Sequence, residues 1–459
     1  MLDELKNKRI LILGFGQEGQ DTYKFLKKLF PNKVLGIGDR NEKVGRDGQF
    51  SNLSKKDKYI KWHLGKDYLK VIKDYDVVIK SPGIPFKILP KTAHKKITSQ
   101  TKIFFENCQG TIIGVAGTKG KGTTSSLIYQ ILKQGGFKTH LIGNIGKPAL
   151  SFLLENKKDN IFVYELSSFQ LMDLEKSPQI AVLLNNYPDH LDWHKNFQEY
   201  VEANANITKY QNKNDILIYS AQDKITKKIA NKSKAKKIPI PFYSKFKEIS
   251  NELIGKLHIE NINAAIIVGQ FFKVSKKNII LAIKNFKSLP HRLEMVGTYQ
   301  GITFYDDSIS TIPETAINAL NFLGNKVQTI ILGGSDKGSD YKNLAKRILK
   351  SNIKNIILFP TTGEQIWQEI NKISGDSLSA NFVKKSMKTS FSSSRCASLA
   401  YMKEAVRLAY LKTNKGKICL LSPASASFGL FENYSQRGNL YKLYVKKYSN
   451  SNFCEKPKK

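Results

Sequence analysis

Short apolar runs separated by amphipathic stretches recur from one end of the chain to the other, and the rhythm restarts twice. The first series opens with the apolar strand at residues 8–14 (KRILILG), then glycines and an amphipathic helix predicted from Asp21 to Leu29. A strand at Val34–Gly38 ends against Asp39, and one at Asp76–Ile79 runs into Ser81-Pro82-Gly83-Ile84-Pro85, whose prolines forbid a continuing helix. The second series follows Glu106–Gly110: a strand at Thr111–Val115, a glycine-rich loop, a helix from Lys121 to Leu132, then strands at Ile161–Tyr164, Ile180–Asn185 and Ile216–Tyr219. The third follows His291–Glu294, with strands at Thr303–Tyr305, Gln328–Leu332, Asn355–Phe359 and Lys417–Leu421 and helices between them. Strands alternating with helices predict an α/β chain of mostly parallel sheets. The serine-rich piece Ser386–Ser394 reads as a loop without chemistry, and no internal repeat is evident.

At 459 residues the chain exceeds what one core usually organises, so several domains are expected. No apolar run approaches the ~20 residues that cross a bilayer, and the N-terminus enters a strand directly, so neither a membrane partner nor a signal segment is expected. Cys108, Cys396, Cys419 and Cys454 are scattered without C-x-x-C spacing, which fits a reducing cytoplasm rather than a disulfide framework or a zinc site. The formal charge of +36 would draw phosphate-bearing ligands. The lysines come in ones and twos, not in a massed arm, and no nucleic-acid module is present, so no specific nucleic-acid partner is expected.

Two glycine loops carry the candidate chemistry. Gly14-Phe15-Gly16-Gln17-Glu18-Gly19 matches G-x-G-x-x-G between a strand and a helix, with Asp39 twenty residues beyond Gly19. That pattern brings backbone close to a pyrophosphate and a carboxylate to ribose hydroxyls. By itself it leaves an NAD-dependent oxidoreductase open. The second loop, Val115–Thr124 (VAGTKGKGTT), departs from the usual P-loop spelling, because Gly122 follows Lys121 and the hydroxyls arrive at Thr123 and Thr124. Successive N–H groups opening onto a helix N-terminus still suit a polyphosphate, with Lys121 on the β and γ phosphates and a threonine hydroxyl on magnesium. A diphosphate site and a triphosphate site in one chain point to ATP consumed on a substrate that itself carries a nucleotide.

These residues resemble the Mur ligase family, ATP-dependent amide-bond formers of peptidoglycan precursor synthesis, and within it the branch that adds D-glutamate. The resemblance runs through nearly the whole chain: GTKGKGTT at Gly117–Thr124, GNIG at Gly143–Gly146, ELSSFQL at Glu165–Leu171 and PDHLD at Pro188–Asp192. It continues through Asn261, HRLE at His291–Glu294, YDDS at Tyr305–Ser308, GGSDKGSDY at Gly333–Tyr341 and LLSPASASFGLFENYSQRG at Leu420–Gly438. It implies an N-terminal Rossmann-like domain for UDP (1–107), a central P-loop ATPase-type domain (108–296) and a C-terminal Rossmann-like domain for the amino acid (297–459). The substrates would be UDP-N-acetylmuramoyl-L-alanine and D-glutamate, with ATP and Mg2+, in a monomer.

The resemblance also distributes roles. Gly14, Phe15, Gly16, Gln17, Asp39, Arg40, Ser81, Pro82, Gly83, Asn144 and Ser167 would hold the UDP substrate. Gly117, Thr118, Lys119, Gly120, Lys121, Gly122, Thr123 and Thr124, with Asn261, Arg292 and Asp307, would hold ATP. Thr123, Glu165 and His190 would ligate magnesium, and Lys121, Glu165, His190 and Arg292 would serve the chemistry. Thr311, Lys337, Ser427, Phe428 and Tyr434 would meet D-glutamate. The histidine pair His190 and His194 also admits a zinc reading, which lacks a third ligand.

Three positions depart from the family pattern. Asn204 stands where a carbamylated lysine is usual, so no carbamylated lysine is expected and the second magnesium would be held differently. Ile309 replaces a lysine in the D-S-K pattern, and Leu257 replaces a histidine before Asn261. A sibling ligase for another amino acid therefore stays open. A folylpolyglutamate synthase is disfavoured because that family lacks the N-terminal UDP-type domain.

Overall fold

The computed structural model describes residues 2–44, 58–191, 193–243, 246–250, 257–286, 289–379, 383–386 and 394–449. Asp192 and the serine-rich residues 387–393 lie outside this set. The chain forms two compact units, Met1–Phe286 and Lys287–Lys459.

The first unit contains two sheets. Strands β1 (Ile10–Leu13), β2 (Leu35–Asp39), β3 (Ile60–Leu64), β4 (Val77–Lys80) and β5 (Ile97–Ser99) pair in parallel in the order β3-β2-β1-β4-β5. Chain order reverses between β1 and β4, so the turns after these two strands open a crevice at their carboxyl ends, where open α/β sheets take ligands. Helix α1 (Gln17–Leu29) begins four residues earlier than its apolar pattern predicts, with Gly16 at its N-cap. Gly19 lies in its first turn, and a Cβ there would lie 2.1 Å from Gly14 O, so the position needs glycine.

The second sheet comprises β6 (Thr111–Ala116), β7 (Thr139–Gly143), β8 (Ile161–Glu165), β9 (Ile180–Leu183), β10 (Ile216–Ser220) and β11 (Lys236–Ile240), all parallel, in the order β11-β10-β9-β6-β8-β7. Strand β6 is central and wholly apolar after Thr111, as a strand covered on both faces must be. It feeds helix α2 (Lys121–Gln134). Ile113, Val115, Leu127 and Ile131 share a core with Ile262 and Ile266 of helix α4 (Ile259–Phe271). Helix α3 (Phe197–Lys209) is capped by Asn196, whose side chain accepts from Glu199 N.

The second unit holds β12 (Glu294–Tyr299), β13 (Ile302–Asp306), β14 (Val327–Gly333), β15 (Asn355–Phe359), β16 (Val383–Ser386) and β17 (Ile418–Leu421), in the order β12-β13-β17-β14-β15-β16. Only the edge strand β12 is antiparallel. The expected boundary at 296/297 falls inside β12, which pairs with β13, so the third sheet starts before it. Helices α5 (Pro313–Leu323) and α6 (Tyr434–Ser449) follow β13 and β17. No helix among the described residues is long and apolar enough to cross a membrane.

Candidate functional site

The turn after β1 has the shape the glycine pattern predicts. Gly14 takes φ +88°, and a Cβ there would lie 2.8 Å from Ser81 Oγ, which donates to Gly14 O at 2.8 Å. The glycine loop and the Ser81-Pro82-Gly83 turn are therefore one construction across the β1/β4 crevice. Gly16 has open space around it and Arg40 and Gly83 are exposed. Asp39 differs from the bare expectation of a ribose ligand. Its Oδ2 accepts from Phe15 N and its Oδ1 from Asn41 N, each at 2.8 Å, so the carboxylate also shapes the glycine loop.

The turn after β6 is held from beneath. Gly117 (φ +125°) and Gly120 (φ +92°) need conformations that L side chains rarely adopt, and a Cβ on Gly120 would meet Asn261 Oδ1 at 2.3 Å. Thr118 N donates to Asn185 O at 2.7 Å, and Lys119 N to Asn185 Oδ1 at 2.9 Å. Thr118 Oγ1 lies 2.8 Å from the Tyr200 hydroxyl of α3 and accepts from Tyr187 N at 2.9 Å. The Lys121 ammonium donates to Gly117 O at 2.8 Å and Thr118 O at 3.0 Å, so it lies across the loop. Thr124 Oγ1 donates to Asn261 Oδ1 at 3.2 Å, and Asn261 Nδ2 to Leu257 O at 2.7 Å. Asn261 thus supports the loop and α2 together.

The predicted metal ligands can be tested against their surroundings. A buried hydroxyl such as that of Thr123, left without a hydrogen-bond partner among the described residues, costs about 1–3 kcal/mol, which a ligand oxygen site would offset. Glu165 ends β8 in register with Val115, beside the strand that feeds the loop, and is buried. A hard cation takes such oxygen donors, so Thr123 and Glu165 fit magnesium. His190 takes φ +56°, with Nε2 3.8 Å from Asp189 Oδ2 and its ring 4.8 Å from that of Phe169. The zinc reading fails at His194, whose Nε2 lies 2.8 Å from Ser168 Oγ and whose Nδ1 lies 3.5 Å from Glu199 Oε2. Asn204 is buried, and its Nδ2 donates to Asn186 Oδ1 at 3.0 Å.

Asn144 is exposed, with its N–H donating to Glu165 O at 3.3 Å. Ser167 caps the one-turn helix Ser168–Leu171 in a reciprocal capping box with Gln170.

In the second unit, Asp307 is fully enclosed. Its oxygens accept from Ser310 Oγ at 2.5 Å, Ser422 Oγ at 2.8 Å and Leu293 N at 3.2 Å. Burial pushes its carboxyl up to about 6, against the pull of those donors and of the Arg292 charge. Lys337 places its ammonium 6.0 Å from the centre of the exposed Phe428 ring, and a bridge between Ser335 and Ala426 joins their two loops. Ser427 is buried beside Phe428, Thr311 is half-buried, and Tyr434 starts α6 with its ring 6.2 Å from His291.

Sequence reasoning missed three supports. Asn185, which carries the glycine-rich loop after β6, follows β9 in NNYPDH, and its place at the end of a central strand is the signal that could have found it. Asp189 accepts from Lys119 Nζ at 3.1 Å. Arg437 is wholly buried and donates to Ser308 Oγ, Ser308 O and Ser425 O at 3.0, 2.8 and 3.1 Å, joining the YDDS and SPASASF segments. The metal-like grouping found among the described residues is His291, Glu294 and Asp306. Lys442 Nζ already bonds both oxygens of Glu294 at 3.1 and 3.0 Å, which argues against a cation there.

The Mur ligase middle domain matches residues 115–283, and the Mur ligase glutamate ligase domain matches residues 291–425. The UDP-N-acetylmuramoylalanine–D-glutamate ligase of Clostridium tetani is 33% identical, over 96% of this chain and 97% of its own. The chain belongs to the Mur ligase family. Solved ligase structures share the fold. A pseudomurein peptide ligase type C from Methanothermus fervidus superposes with TM-score 0.57 at 18% identity, over 96% of this chain and 100% of its own. The UDP-N-acetylmuramate-alanine ligase MurC of Thermotoga maritima gives TM-score 0.58 at 15% identity, over 96% and 99%. The oxidoreductase reading of the first glycine loop gives way to this family assignment.

Proposed function

We propose that this Mur ligase joins D-glutamate to the L-alanine carboxylate of UDP-N-acetylmuramoyl-L-alanine, releasing ADP and phosphate, and works as a cytoplasmic monomer. The observation that carries the choice of substrate is the 33% identity, over 96% of the chain, to a ligase named for that reaction. The paired turns at Gly14 and Gly117 support it independently, since they offer a diphosphate cradle and a triphosphate cradle in one compact unit.

The chemistry proceeds in two displacements. A carboxylate oxygen attacks the γ-phosphorus and the bond to the ADP oxygen breaks, giving an acyl phosphate. The amine of D-glutamate then attacks the carbonyl carbon, the bond to phosphate breaks, and the nitrogen gives up its extra proton to solvent. A carboxylate is a poor electrophile with no leaving group, and phosphorylation supplies one. Lys121 and the Gly120–Thr123 N–H groups hold the triphosphate and spread its charge, the Thr118 and Lys119 N–H groups being engaged by Asn185. Thr123, Glu165 and His190 would hold magnesium, which supplies further neutralisation of the phosphate oxygens.

The turns Gly14–Gln17 and Ser81–Gly83, with Asp39, Arg40, Asn144 and Ser167, hold the UDP substrate. Arg292 meets the γ-phosphate, and Lys337, Thr311, Ser427, Phe428 and Tyr434 receive D-glutamate. We assign Asn261 and Asp307 supporting parts, because their polar atoms already hold α2 and the Leu293 turn. The three sheets correspond to a UDP domain, an ATP domain and an amino-acid domain.

Phosphate release from Mg-ATP with the UDP substrate, tried with D-glutamate, L-glutamate and other amino acids, tests the reading. It requires dependence on D-glutamate and a product heavier by one glutamyl residue. Release with a different amino acid would move the specificity to a sibling.

A further inference from the structure

The two sheets of the first unit are joined by a polar chain of which the proposed function uses only the far end, Ser167. Glu18 stands in the first turn of α1, next to the glycine loop, and its Oε1 accepts from Gln170 Nε2 at 2.7 Å. Gln170 Oε1 accepts from Ser167 N at 2.9 Å and from Ser167 Oγ at 3.1 Å. Ser167 lies two residues beyond Glu165. One line of hydrogen bonds therefore runs from the diphosphate turn of the first sheet to the loop that carries the candidate metal carboxylate of the second.

The surroundings favour a positioning part over simple adhesion. Glu18 Oε2 is enclosed, with no hydrogen-bond partner among the described residues. Lys80, which ends β4 just before the Ser81 turn, is almost wholly buried, with its ammonium 3.3 Å from Ser81 O and 4.9 Å from the centre of the Phe86 ring. Asp21 accepts from Gln100 Nε2 at 3.0 Å and from Ser151 Oγ, and Asp173 also faces the cluster. Burial pushes Glu18 up to about 7, Asp21 and Asp173 add to that, and Gln170 and Lys80 oppose it. An apolar contact would join two sheets at lower cost than buried acids and a buried lysine. A carboxyl that titrates near neutrality is mimicked by an amide, so glutamine is the conservative replacement.

We propose that Glu18 is a positioning residue for the UDP substrate, holding Ser167 through Gln170 so that the diphosphate turn and the Glu165 loop present one rigid site. This rests on the UDP-substrate reading above.

Glu18→Ala, Glu18→Gln, Gln170→Ala and the double alanine variant of the full chain test it, by calorimetric titration of UDP-N-acetylmuramoyl-L-alanine and by steady-state kinetics. Glu18→Ala is expected to weaken the UDP substrate about tenfold in both Kd and KM, with KM for ATP changed less than about twofold. Glu18→Gln, whose amide oxygen still accepts from Gln170, is expected within about threefold of wild type, and the double variant no worse than the poorer single. Equal loss for ATP, a glutamine variant as poor as alanine, or single effects that multiply in the double would each overturn the proposal. If Glu18→Ala does not fold, Gln170→Ala carries the same comparison. Wild-type binding without turnover counts against the reaction and leaves the binding comparison to decide Glu18. A wild type that binds no UDP substrate overturns both.

Discussion

Lys119 and Asp189 form an ion pair of 3.1 Å between the glycine-rich loop after β6 and the segment after β9, with the Asp189 side chain 6% exposed and that of Lys119 22% exposed. The loop is therefore anchored at its middle as well as at Gly117 and Gly120. Removing Asp189 leaves a lysine without its buried acid and releases the loop. Asp189→Ala is expected to raise KM for ATP about tenfold, on the order of 1–2 kcal/mol, and to leave binding of the UDP substrate unchanged. Fluorescent ATP-analogue titration beside UDP-substrate titration checks it, and equal loss in both would contradict it.

Thr123 gives a prediction in which stability and activity part company. Its buried hydroxyl has no hydrogen-bond partner among the described residues, so Thr123→Val removes an unsatisfied polar group at nearly constant shape. The variant is expected to melt at or above the wild-type temperature without ligand, and to lose about a hundredfold in kcat at fixed magnesium. A variant that melts lower, or turns over normally, would place the hydroxyl in the fold and not at a metal.

Asp307 sets a pH signature in the second unit. Its folded carboxyl is raised to about 6 by burial, above the unfolded value of 3.8, so the folded state keeps its proton longer. Stability from this group is fully present below about pH 4 and is lost as pH rises through about 6. Across that window the wild type should lose ~3 kcal/mol relative to Asp307→Asn, with the difference flat on either side. Chemical denaturation of both proteins from pH 3.5 to 8 measures it, and a constant difference would show that Asp307 is not raised.

Asn204 has no amine to react with carbon dioxide, and its amide is engaged with Asn186 in a buried position. Activity is expected to be the same in bicarbonate-free and bicarbonate-supplemented buffer. Intact mass should show no added 44 Da, the mass of CO2. A bicarbonate response would mean that a neighbouring lysine has taken the carbamate.

How much of this was legible in the sequence has a simple geometry. The strands that the hydrophobic pattern predicts are the interior strands of the three sheets. The strands it misses among the described residues, β3, β5, β7, β11, β12 and β16, are the sheet edges. Interior strands such as ILIL and ICLL are covered on both faces, whereas an edge strand dilutes its apolar pattern with lysine, histidine or proline, as in IKWHL and KKIPI. Pro239 of β11 is tolerable only because no strand pairs beyond it. The glycine turns were legible because their chemistry is local and needs fixed spacing. Asn185, Arg437 and Glu18 were not, because each acts on a partner 12 to 152 positions away along the chain. No short pattern records such a partnership.

Whether ATP is consumed in activating a substrate carboxylate is read by isotope transfer. UDP-N-acetylmuramoyl-L-alanine labelled with 18O in the alanine carboxylate is turned over with Mg-ATP and D-glutamate, and the released phosphate is analysed by mass. An acyl phosphate requires one labelled oxygen to leave with phosphate while the other stays in the amide. Phosphate free of label during product formation would contradict the account.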